Sequence, residues 1–137
     1  MMNGRAQEQV PATQAVTPEV GVAGLLNEAA KTRGSYTEIE RDRASASLMK
    51  LLMLPRPKAK TLCDAAQEAH AAHVTLAGFA DAAASLPGDE REQLVRQVWA
   101  LLDDEEGEAS PEREVLSAIG SAFDLSREQI LSLRPSG

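Results

Sequence analysis

A chain of 137 residues is long enough to build one domain around its own core without disulfide or metal staples. Alanine occurs 23 times, valine and isoleucine together only 11 times, and there are four aromatic residues, so a sheet-rich fold is argued against and an all-α domain is expected. The net charge of −7 is unevenly placed: residues 31–60 carry eight bases against three acids, whereas residues 101–114 carry seven acids and Arg113, a polarity that bears on association and ion binding rather than on fold.

Residues 1–17 are polar and lack a periodic apolar face, which predicts a disordered tail preceding a domain over 18–137. A first helix is expected from Pro18 to about Thr32, with Val22, Leu25, Leu26, Ala29 and Ala30 as an apolar stripe and Gly34 closing it. Thr37 and Glu40 form a capping box for a second helix, predicted to bury Ile39, Leu48, Leu51 and Leu52 and to break at Pro55 and Pro57. A third helix is expected over about 58–73 and a fourth over about 75–85, with Leu76, Phe79, Ala80 and Ala83 inward. After the Pro87-Gly88 turn, Asp89 and Glu92 resemble another capping box, opening a fifth helix with Leu94, Val95, Val98, Trp99, Leu101 and Leu102 as its stripe. Ser110 and Pro111 read as N-cap and first-turn proline of a sixth helix that buries Val115, Leu116, Ile119, Ala122 and Phe123. Ser126 and Gln129 box a short seventh helix, with Leu125 and Ile130 at staple positions.

Cys63 stands alone among small and apolar neighbours, so it reads as a buried hydrophobe in a reducing compartment. There is no apolar run of membrane-spanning length and no apolar signal core near Met1, so a cytoplasmic protein without a membrane partner is expected.

The stretch LLDDEEGEASPERE, residues 101–114, is the strongest chemical signal. Carboxylates clustered around a bend can hold a hard cation such as Ca²⁺ or Mg²⁺, which makes Asp103, Asp104, Glu105, Glu106 and Glu108 the candidate ligands. An EF-hand does not fit: with Gly107 at the sixth loop position, Leu102 and Arg113 fall where carboxylates are required. The stretch also fits a solvated connection whose Glu112 and Glu114 favour the start of the next helix, or an electrostatic surface for a protein partner.

Two segments echo each other 73 residues apart: Gly34-Ser-Tyr-Thr37 and Gly107-Glu-Ala-Ser110 each set a hydroxyl N-cap three residues after a helix-ending glycine. The fold class is therefore a single bundle of about seven helices containing a pseudo-repeated helix–loop–helix. If the repeat brings its loops together, Lys31 and Arg33 would face the acidic stretch and Glu112, giving an ion-pair network in place of a metal.

This order of elements, with an acidic-Gly-Glu-x-Ser-Pro-Glu unit at 103–112 and LSREQI at 125–130, resembles the TerB-like, tellurite-resistance-associated helical domain over roughly residues 20–131. The same domain occurs at the N-terminus of a membrane-bound DnaJ-type cochaperone. The resemblance implies an all-α, non-enzymatic protein of stress-response type. It also implies acidic residues in both repeat loops that have been suggested to bind divalent metal. The second loop matches in part through Asp104, Glu105, Glu106 and Glu108, whereas the first departs, with Arg33 where an aspartate is expected.

Three other readings have weaker support. His70 and His73 have the i, i+3 spacing of a metal pair, but fixed further ligands are lacking. No nucleophile constellation, P-loop or dinucleotide motif is present, so an enzyme is not expected. A helix-turn-helix spanning Ser110–Leu133 is the alternative, with Arg127, Gln129 and Arg134 as DNA-reading candidates, but the acidic helix before it would repel phosphate. The expected activity is binding of a protein partner or a divalent ion, and a homodimer is one form that association could take.

Overall fold

The computed structural model describes residues 16–31, 37–103 and 114–134. These form seven helices: α1 (Pro18–Ala30), α2 (Glu38–Leu52), α3 (Arg56–Ala71), α4 (Leu76–Ala83), α5 (Gly88–Asp103), α6 (Glu114–Phe123) and α7 (Arg127–Ser132). Among the described residues there is no strand, as the scarcity of β-branched residues predicts. The predicted tail over 1–15, the Gly34 stop and the Ser110-Pro111 start lie outside the described residues.

Helix α1 is the axis of the bundle. A single apolar stripe was expected, yet Val20 to Asn27, Ala29 and Ala30 are all buried and only Glu28 within that run is half-exposed. The helix is surrounded by α2, α3, α4, α5 and α6, which is where an almost uniformly apolar helix must go. Thr17, assigned to the tail by sequence, is its N-cap, accepting from the Val20 amide at 3.1 Å.

Two glycines allow α4 to cross α1 closely. A Cβ on Gly24 would lie 2.5 Å from the Phe79 ring, and one on Gly21 would lie 2.5 Å from the Phe79 carbonyl oxygen. Phe79 thus occupies the space that side chains on α1 would otherwise take, and its burial contributes roughly 2–3 kcal/mol.

Helix α2 differs from its expected face. Leu48 is buried and Leu51 and Leu52 are partly so, but Ile39 is 69% exposed. The inward positions are Glu40, Ala44, Ser45 and Ser47, small or polar residues that hydropathy alone does not select. The expected boxes at Thr37/Glu40 and Ser126/Gln129 are both present. Asp89, by contrast, lies within the first turn of α5, because the Arg91 amide already bonds the Pro87 carbonyl at 2.9 Å. There its carboxylate acts on the positive end of the helix dipole instead of capping it.

Three helices end on a non-glycine residue in the left-handed conformation: Met53 after α2, His73 after α3 and Asp124 after α6, with φ of 56°, 78° and 58°. In each, the next amide reaches back five residues: Leu54 to Met49, Val74 to Ala69 and Leu125 to Gly120. An apolar residue then turns inward, which is the Schellman arrangement without its usual glycine. The third helix therefore starts at Arg56, with Pro57 in its first turn, and stops at Ala71, two residues ahead of each predicted boundary.

At the other side of the core the Trp99 indole N–H donates to the Ile130 carbonyl at 2.9 Å, and the Arg134 guanidinium lies 5.0 Å over the same ring. These contacts, with Ile130 and Leu133 buried, hold α7 in place.

Candidate functional site

The site sits where α1 and α5 end and α2 begins. Neither α1 nor α5 carries a basic residue in its last turn, and Lys31, the residue that caps the end of α1, pairs with Glu28 on the same helix. Arg43, in the second turn of α2, supplies a positive charge to both ends. One guanidinium nitrogen donates to the Ala30 carbonyl at 3.4 Å and another to the Leu101 carbonyl at 3.0 Å. A guanidinium is a rigid planar fork, so two helix ends that share one must lie side by side.

Lys31 follows α1 directly, and its ammonium pairs with Glu28 at 2.5 Å on the same helix. His70 of α3 approaches that carboxylate at 3.9 Å. Asp103 is the last residue of α5, which sets the beginning of the acidic stretch against the negative helix end. Arg33, Asp104, Glu105, Glu106, Glu108 and Glu112 lie outside the described residues. Sequence reasoning counted Arg43 within the basic run without singling it out. The available signal was the absence of a base from the last turn of either flanking helix, which becomes informative only when they are known to be neighbours.

Part of the basic run is consumed by the fold. Arg41 makes a bidentate pair with Asp64 at 2.9 and 2.8 Å, and Lys60 pairs with Asp42 at 3.3 Å, joining α2 to α3. The bidentate geometry is the stronger of the two, although both pairs are solvent-accessible and stabilise by roughly 0–1 kcal/mol each.

Beneath these pairs lies a buried polar contact among three helices. The Asn27 amide donates to the Cys63 carbonyl at 3.0 Å, and the Ser45 hydroxyl contacts Cys63 Sγ at 3.6 Å. Burial pushes the Cys63 thiol above its ordinary value and Asp64 adds to this, while the Ser45 hydrogen bond and Arg41 act in the opposite direction. The expected buried, unreactive cysteine is what the geometry provides.

His70 and His73 do not form a pair on one helix face, because His73 is the left-handed residue beyond the end of α3. Among the described residues no group of three His, Cys, Asp or Glu side chains could hold a metal ion. The helix-turn-helix reading also finds no support. The Gln129 side chain accepts from the Ser126 amide at 2.7 Å, Arg134 stacks on Trp99, and α7 spans six residues. Among the described residues no helix is long and apolar enough to cross a membrane.

Fold and site together define an all-helical domain built around a buried central helix with a charged end. The family model described as tellurite resistance protein TerB matches residues 19–134, and the chain belongs to that family. Neither a curated protein nor a solved structure matches it.

Proposed function

We propose that this TerB-family protein is a non-enzymatic, cytoplasmic binding protein of stress-response or tellurite-resistance type. Its binding surface is the acidic stretch beginning at Asp103, and its ligand is cationic: a basic segment of a protein partner or, as the second form of the same chemistry, Ca²⁺ or Mg²⁺. The observation that carries this reading is the double cap by Arg43. It holds the last turn of α5, after which the acidic sequence follows, beside the end of α1. Arg33 stands where the family resemblance implies a first-loop carboxylate, and for that reason we favour a basic partner over a bare ion.

The test is calorimetric titration of metal-stripped protein with Ca²⁺, with Mg²⁺ and with a lysine-rich peptide, each repeated on an Asp104→Asn/Glu106→Gln variant. Saturable binding of peptide or ion that weakens in the variant supports the proposal, and the titrant that binds identifies the ligand. Heats at dilution level for all three, or binding indifferent to the two substitutions, would remove the acidic stretch from any functional account.

A further inference from the structure

The outer face of α2 has the form of an interaction surface, and its groove lies toward the C-terminal end of the helix, beyond the turn that carries Arg43. Ile39, Ala46 and Met49 recur at helical spacing along one side of α2, and Met53, the left-handed residue just past its end, joins them through the groove it lines with Ala46 and Met49. Ile39 is 69% exposed and Met53 86%, the large exposed hydrophobic residues among those described. A shallow groove runs along Ala46, Met49 and Met53 onto Leu54 at the α2–α3 turn, and Lys50 and Arg56 rim it. Met53 also holds a left-handed conformation, where glycine would be the residue of least strain. Folding alone accounts neither for a long apolar side chain at that position nor for its being turned to solvent.

We infer that this groove docks an acidic amphipathic helix from a partner protein. Charge complementarity selects that occupant. Arg41 and Lys60 are neutralised by Asp64 and Asp42, while Lys50 and Arg56 are exposed and pair with no carboxylate among the described residues. On a chain of net charge −7 an acidic segment is repelled from most of the surface and attracted here. A single-helix apolar stripe with small Ala46 at its centre lets a second helix approach closely, and the two methionines adapt to its side chains.

The probe is a fluorescein-labelled peptide with leucine at i, i+3, i+4 and i+7 and glutamate elsewhere, followed by fluorescence anisotropy against the full chain. Saturable binding is expected. Met53→Asp and, separately, Lys50→Glu/Arg56→Glu should each weaken it at least about tenfold, ~1.4 kcal/mol. Asp104→Asn/Glu106→Gln should leave it unchanged, which separates this surface from the acidic one. All substituted groove residues are exposed, so unchanged circular dichroism melts are expected, and if Met53→Asp does melt early the charge-reversal pair decides alone. No binding of the acidic peptide overturns the inference, as does binding lost on charge reversal but insensitive to Met53→Asp in a folded variant. Sedimentation equilibrium showing a dimer abolished by Met53→Asp, or preferential cosedimentation with phosphatidylglycerol vesicles, would assign the face to a second copy or to a membrane and overturn it too.

Discussion

Gly24→Ala is the substitution that most directly tests the packing of the central helix. Helix propensity alone favours alanine at this interior position by about 1 kcal/mol. The structure opposes it: the added Cβ would meet three atoms of the Phe79 ring at 2.5–2.6 Å, against the 3.4 Å at which ordinary contact begins. Something must move by about 0.9 Å. Phe79 is 1% exposed and its ring has nowhere to swing, so α4 must shift bodily away from α1. Overpacking of that kind costs roughly 1–3 kcal/mol before the propensity gain is subtracted, which leaves a net loss of roughly 0–2 kcal/mol. Urea denaturation followed by circular dichroism should show a lower midpoint at unchanged slope. Gly88→Ala is the control, since its added Cβ meets only an Arg91 nitrogen at 3.8 Å, and it should fall within about 0.5 kcal/mol of wild type. Combining Gly24→Ala with Phe79→Leu should cost less than the two singly, by at least ~0.5 kcal/mol. A Gly24→Ala protein stabilised by the full propensity gain of about 1 kcal/mol, or strict additivity in the double variant, would refute the close α1–α4 crossing.

Arg43→Ala should destabilise by about 1–3 kcal/mol, since it removes the charged donor from two helix-end carbonyls, and Arg43→Lys should recover only part because an ammonium lacks the fork; urea midpoints measure both. His73→Gly should stabilise by about 0.5–1 kcal/mol by relieving the left-handed conformation at φ 78°, whereas His73→Val should destabilise; a thermal melt showing the opposite order would contradict the backbone there. The Cys63 thiol should react with a chromogenic disulfide reagent at neutral pH only as fast as the protein opens, with full reactivity in urea. Because burial raises its folded-state pKa, the group contributes no pH-dependent instability below its ordinary value of 9.0 and progressively destabilises the fold above it. Wild type should therefore lose more stability than Cys63→Ala between neutral and strongly alkaline pH.

Much of the architecture is determined locally and is legible in the sequence. The Thr37/Glu40 and Ser126/Gln129 boxes depend on residues three positions apart, and the stripe from Leu94 to Leu102 depends on one helical period, so each could be read without knowing its surroundings. The all-α class and the family resemblance follow from such local signals in order along the chain. What the sequence left open depends on which helices become neighbours. Gly21 and Gly24 read as weak points in a helix until Phe79 is found against them. Ile39 reads as core, yet is turned outward because α2 packs on α1 and α3 through buried Leu48 and the small side chains of Ala44 and Ser45. Arg43 is one of eight bases in a run, and only the tertiary structure sets it between two helix ends that carry no base in their last turn. Periodicity and capping are short-range energies written into adjacent residues. The partner of a helix face is chosen by the packing of the whole bundle, where shape and charge from distant parts of the chain meet for the first time.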